Sequence, residues 1–170
     1  MIYFITENWL KVNTPITANI DAAKIFPFVQ SQSDMRMQPI LGTYFYKHLL
    51  TEYNAQTLNA DETVLVEKMQ PAIAWRAVED CVLGISYALK NKGIQQQSGD
   101  YSQPVTFQEI AYIQGVYSQK AEFYERRVIE WLKANKDLYP EFISTLNTDS
   151  DIKPLKPNNQ NGFNDFFDII

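Results

Sequence analysis

A chain of 170 residues, 45% apolar and 21% charged, has the size and balance of one globular domain with a real core and an appendage at most. Its formal charge of −5, with no stripe of lysine and arginine to offset it, argues against a nucleic-acid binder held by counterion release. Cys81 is the only cysteine, so no disulfide framework is expected.

The apolar start, Met1 to Ile5, is too short for a signal peptide and lacks its basic region, and no apolar run approaches the roughly 20 residues of a membrane span. Synthesis in the cytoplasm is therefore the expectation. Thr6 caps a short helix through Lys11, which Asn13-Thr14-Pro15 stops. Asn19 or Asp21 caps the next helix, Ala22 to Gln38, with Pro27 tolerated near its first turns and Pro39 marking its end. Gly42-Thr43 reads as a C-cap followed by a fresh helix start. The helix from Tyr44 to Tyr53 then carries Phe45, Leu49 and Tyr53 at four-residue spacing.

Two long helices follow. The first runs from near Asp61 to Gly93, with a kink expected at Pro71 and a stop signal in Asn91-Lys92-Gly93. Trp75, Val78, Val82, Ile85 and Leu89 form a stripe of large residues. Beside it Ala74, Ala77, Cys81, Gly84 and Ala88 form a stripe of small ones, which lets another helix approach closely. Arg76, Glu79, Asp80 and Lys90 mark a polar face. The segment from Ile94 to Pro104 is a polar loop with room for a short hairpin.

The second long helix opens on the capping box Thr106-Phe107-Gln108-Glu109 and runs to about Asn135. Ile110, Ile113, Tyr117, Ala121, Tyr124, Val128 and Trp131 make its seam. Tyr112, Val116 and Phe123 stand off that seam and mark a second contact surface, within the domain or between subunits. Glu122, Arg126 and Glu130 read as an exposed lattice of i,i+4 pairs, with Glu125 and Arg127 on the same solvated face. A last helix is expected from Tyr139 to Leu146.

The fold class that results is all-α: a helical bundle built on two long helices, with shorter N-terminal helices and an extended C-terminal tail. Residues 1–147 form the domain and 148–170 the tail. From Asn147 to Gly162 the chain is rich in Asn, Asp, Pro, Lys and Gln, too polar to offset its ordering entropy. It ends in Phe163, Phe166, Phe167, Ile169 and Ile170. Apolar side chains on such a tether are kept when something covers them. Folding back onto the same domain is one reading; the long polar stretch favours docking onto another chain.

Chemistry-bearing motifs are missing. No glycine-rich phosphate loop, zinc signature or nucleophile elbow occurs. His48 beside Lys47 reads as a surface residue with no evident orienting partner, and Cys81 as a small buried hydrophobe. Glu79-Asp80 diverge by about 100° on a helix and read as a solvated face rather than a metal or acid–base pair. No catalytic, cofactor or metal residue is assigned, and an enzyme is not expected. The rival from another class is a small helical enzyme or regulatory binding module with Glu79, Asp80 and His48 near a pocket.

Phe4-Ile5-Thr6-Glu7, Asn13-Thr14-Pro15-Ile16, and Gln38-Pro39-Ile40-Leu41-Gly42-Thr43 leading into Tyr46 and Leu49 form an ordered series of local patterns. Pro71-Ala72-Ile73-Ala74-Trp75-Arg76-Ala77 and Asn91-Lys92-Gly93-Ile94 continue it. Tyr117, Glu122, Tyr124, Trp131-Leu132, Asn135 and Tyr139-Pro140 complete it. In order and spacing, from roughly Phe4 to Phe142, the series resembles the head–tail connector (adaptor) proteins of tailed bacteriophages, especially those of crAss-like phages infecting Bacteroidetes. The resemblance implies an all-α protomer in a homo-oligomeric ring, a dodecamer, beneath the portal protein. Such a ring contacts other neck or tail proteins in the virion and leaves a channel through which DNA passes without specific binding. It implies no membrane, cofactor or catalytic residue. Another ring or tail-completion protein of the same neck is the rival within this class.

Overall fold

Polar caps start the helices where local sequence places them. The Thr6 hydroxyl accepts from the Trp9 N–H at 3.2 Å and opens α1, Glu7–Asn13. Asp21 caps α2, Ala22–Gln32, by accepting from the Ala23 N–H at 2.9 Å. These contacts belong to a computed structural model of the protein, which describes residues 3–16, 19–90, 93–96 and 106–154. Just upstream of α1, Phe4 is fully buried between the rings of Tyr46 and Tyr53, at 5.7 and 5.6 Å. Its φ of 59° is a strained backbone for a bulky residue, held by that burial and by the Gln70 side chain, whose Nε2 donates to the Phe4 carbonyl at 2.8 Å.

The second helix does not stop at Gln38. After α2 the chain makes a wide turn of π-helix, Ser33–Met37, and continues as α3, Gln38–Leu41. The Gln38 N–H reaches back five residues to the Ser33 carbonyl. That wide turn puts Pro39 in the first turn of α3, where its missing N–H is harmless. Gly42, at φ 81°, ends α3 and leads into α4, Thr43–Ala55.

The first long helix, α5, runs from Ala60 to Ser86, unbroken through Pro71. It ends before the expected Gly93 because the chain turns into strand β1, Tyr87–Lys90, which pairs antiparallel with β2, Gly93–Gln96. Leu89 lies opposite Ile94 and Lys90 opposite Gly93. Gly93, read as part of a helix stop, instead begins β2, and Asn91 and Lys92 lie outside the described residues. A short apolar run such as Tyr87-Ala88-Leu89 fits either period, so the pattern alone did not decide.

The second long helix, α6, spans Phe107–Asn135 behind a complete Thr106–Glu109 capping box. A 3-10 turn, Lys136–Leu138, leads to α7, Pro140–Ile143, and α8, Thr145–Thr148. These two short helices replace the single one expected, because Ser144 adopts an extended backbone (ψ 147°) and caps α8.

The most extensive packing is between α5 and α6, with α2 laid against α5. Leu65, Met69 and Ile73 of α5 meet Val128 and Leu132 of α6 in the core, which also takes Phe45 and Leu49 of α4. The small-residue stripe is buried at Ala74, Ala77 and Cys81. At Gly84 a Cβ would stand 2.5 Å from the Phe28 ring, so glycine sets how closely α2 approaches. Ile85, expected on the large-residue stripe, is exposed one residue before α5 ends.

Candidate functional site

Tyr112, Val116 and Phe123 fall within an arc of about 40° on α6 and along roughly 16 Å of its axis. The structure brings these three residues together on one outward strip. Tyr112 is 75% exposed and Phe123 51%, while Val116 is half-buried. Tyr112 and Phe123 therefore lie outside the core formed by the described residues. Phe123 is held edge-on against Tyr124 at 5.3 Å, and the Arg127 guanidinium lies over its ring at 5.8 Å.

Buried charge behind the strip decides its electrostatics. Arg76 of α5, expected on a polar face, and Glu125 of α6, expected in an exposed lattice, are both buried and face each other. Arg76 Nε donates to Glu125 Oε1 at 2.8 Å and Nη2 to Oε2 at 3.0 Å, a two-pronged pair. Arg76 Nη1 also donates to Glu79 Oε2 at 2.9 Å and to the Ser118 hydroxyl at 2.8 Å. Burial works against the charge on Arg76, but the bonds and field of Glu125 and Glu79 outweigh it and hold its pKa above the ordinary value. Glu122 turns the same way, 3.9 Å from Arg76, and Glu130 sits 3.7 Å from Lys133, so the expected pairing of both through Arg126 is not what forms. The faint sequence signal for the buried pair was rhythm. Ala121, Glu125, Val128 and Leu132 step by four, three and four, which places a carboxylate inside an apolar seam.

A second cluster lies at the other end of α5. His48, read from sequence as partnerless, has its Nε2 2.7 Å from Glu62 Oε1, and its ring lies nearly parallel to Phe45. Glu62 also accepts from the Asn59 N–H at 2.9 Å through Oε2, while its own N–H donates to Asn59 Oδ1. Glu141 of α7 joins them, and one ligand atom from each of the three lies within 4.8 Å of the others. One imidazole and two carboxylates form a donor set that suits a borderline divalent cation, and equally a hydrogen-bonded junction of α4, α5 and α7. Sequence separations of 14 and 93 residues left no local signal for it. Glu79 is 17 residues, about 25 Å, further along α5 and bonded to Arg76, while Asp80 accepts from the Gln32 amide. His48, Glu79 and Asp80 are thus not brought to one pocket.

The chain past α7 straps the start of α4. Asn147, where the polar stretch was expected to begin, is fully buried; its amide donates to the carbonyls of Leu41 and Phe142 at 2.8 and 2.9 Å. Its Oδ1 accepts from the Phe45 N–H at 3.2 Å. The Thr43 N–H donates to the Ile152 carbonyl at 2.9 Å, so ordered packing continues through Ile152. The five apolar tail residues, Phe163, Phe166, Phe167, Ile169 and Ile170, lie outside the described residues. A shallow cleft of about 350 Å³ between Thr6, Tyr53, Asn54, Gln56, Leu58 and Thr63 holds no titratable group other than the Tyr53 phenol.

Fold and surface together define an all-α protein with an exposed aromatic strip on one long helix. No described helix is long and apolar enough to cross a membrane. Residues 37–152 match a family of unknown function, DUF6712, and the chain belongs to that family. No curated protein and no solved structure matches it. The family match ends at the residue whose carbonyl closes the strap on Thr43.

Proposed function

We propose that this protein is a structural virion component of a tailed bacteriophage: a head–tail connector whose copies form a ring beneath the portal and join capsid to tail. It acts by stoichiometric assembly and turns over no substrate. The observation that carries this reading is the aromatic strip of α6, where Tyr112 and Phe123 face solvent on a body whose core is complete without them. The resemblance noted in the sequence supplies the architecture: a twelve-fold homo-oligomeric ring in the neck, with the portal protein and other neck proteins as partners. A net charge of −5 fits a channel through which DNA slides without being gripped. The apolar residues from Phe163 to Ile170 reach a neighbouring copy or the portal, because ring contacts join unlike surfaces and let each subunit hand a segment onward.

The test mixes the full-length chain with the portal protein encoded in the same genome and images the product by electron microscopy. Rings of the chain seated on the portal are expected. A chain that stays monomeric both alone and with the portal ends this reading, and so does turnover of a small substrate at a defined site.

A further inference from the structure

Gly115 sits in the interior of the 29-residue α6, about 60° around the helix from Tyr112 at the edge of the outward strip, and a Cβ added there would meet no atom of the described residues within 4 Å. Its φ is not positive, and no close approach among the described residues requires it. Glycine weakens an exposed helix interior relative to alanine, so a bare backbone at this place costs stability and brings nothing to the isolated fold. It does leave an open seat beside Tyr112 and Val116, at the edge of the strip that Phe123 continues. A partner's side chain can reach the helix backbone there with the Tyr112 ring next to it.

Charge says which partner. Between Ile110 and Ile129, Glu125 is buried against Arg76, and Glu122 stands 3.9 Å from it with 46% of its side chain exposed. The cations Lys120, Arg126 and Arg127 remain outside, with Lys120 over the Trp75 ring. The middle of α6 thus presents three outward cations against the half-exposed Glu122, with exposed Glu130 just beyond, on a protein of net charge −5. A second copy of the same strip would set Arg126 and Arg127 against their own kind. The segment Phe163–Ile170 is the complement, with three Phe, two Ile, Asp165 and Asp168 and no cation. The nine residue steps from Pro154 to Phe163 give it a reach of about 30 Å when extended.

We propose that the seat at Gly115, beside the strip of Tyr112, Val116 and Phe123, receives the Phe163–Ile170 segment of a neighbouring copy. The proposal rests on the assembly reading above and names the surface and the segment that meet in it. Apolar side chains enter around the bare backbone, and the two aspartates lie toward Arg126 and Arg127.

The experiment uses full-length protein alone and on its portal. Equal amounts of ¹⁴N- and ¹⁵N-labelled chains are mixed and treated with a carbodiimide, which joins carboxylates to lysine amines. Sedimentation velocity then follows association of the wild type and of Gly115→Glu. Cross-links from Lys120 to Asp165 or Asp168 that mix the two isotopes are expected. Gly115→Glu should melt no lower than the wild type, since its side chain meets no atom of its own fold. Its association should be at least about tenfold weaker. Asp165→Lys with Asp168→Lys, outside the described fold, should weaken association comparably.

Cross-links confined to one isotope would mean that the segment covers its own helix, and would overturn the proposal. A folded Gly115→Glu that associates as well as the wild type would place the seat elsewhere while leaving ring assembly intact. A wild type that never associates, even on the portal, would sink both readings together.

Discussion

Asn147 satisfies three buried backbone groups with one amide, and no property of the polar run around it announces this. The residue is surrounded in sequence by Thr, Asp and Ser, and its partners lie as far as 106 positions away, at Leu41. Replacing it by alanine orphans the Leu41 and Phe142 carbonyls and the Phe45 N–H inside the fold. A loss of about 2–4 kcal/mol is expected, read as a lower urea midpoint at unchanged slope. Gly42 makes the site a coupled pair. Its φ of 81° disfavours any side chain, and a Cβ would stand 2.3 Å from Asn147 Oδ1. Gly42→Ala alone carries both the strain and the clash; in an Asn147→Ala background only the strain remains. The two substitutions should therefore cost less together than their sum, by about 1 kcal/mol or more in a double-mutant cycle.

At the level of elements, what was readable in advance was local. The Thr106–Glu109 capping box spans three residues, and the structure forms it in full. There the Thr106 hydroxyl and N–H bond the Glu109 carboxylate and hold its pKa below the usual carboxylate range. The support it lends α6 is therefore fully present above the unfolded carboxylate pKa and is lost as pH falls through the lower folded value. Protection of the first-turn amides of α6 against hydrogen exchange, relative to their intrinsic rates at each pH, should fall in that acid window, and Thr106→Ala should bring the same loss of protection at neutral pH. The joint between α5 and α6 was not readable, because a polar residue on a helix is by default a solvated one. Arg76 and Glu125 are 49 positions apart, and only the folded chain shows them paired. Arg76→Met alone leaves a buried carboxylate without its main partner and should cost about 3–5 kcal/mol in chemical denaturation. Arg76→Met with Glu125→Met removes both charges and should recover most of that loss. A double variant as unstable as the single one would mean that the pair's shape, and not its charge, holds the helices.

For the whole molecule, hydrophobic period was enough to establish an all-α body on two long helices, since a rhythm sustained over about seven turns is hard to mimic. Where α5 ended was beyond it, because Tyr87 to Lys90 pair with Gly93 to Gln96 and hairpin pairing is decided between segments. The aromatic strip was legible for the opposite reason: Tyr112, Val116 and Phe123 broke the rhythm of their own helix. Its charge was not, because Glu125 is withdrawn from Arg126 and Arg127 only once Arg76 is in place. That arrangement makes assembly electrostatic in a testable way. Raising salt from about 0.1 to 1 M shortens the screening length from about 10 to about 3 Å, so contacts between exposed charges fade while apolar ones persist. Two exposed pairs contribute at most about 1 kcal/mol each, so self-association should weaken by roughly tenfold and not vanish. Arg126→Glu with Arg127→Glu sets like charges across the contact, so the loss at low salt should exceed that one and added salt should then strengthen association. Adding Asp165→Lys and Asp168→Lys to the same chain restores opposite signs across the contact, and sedimentation at low salt should then return toward the wild-type profile. Recovery requires that the two segments touch, because charge reversal at unrelated surfaces would only compound the damage.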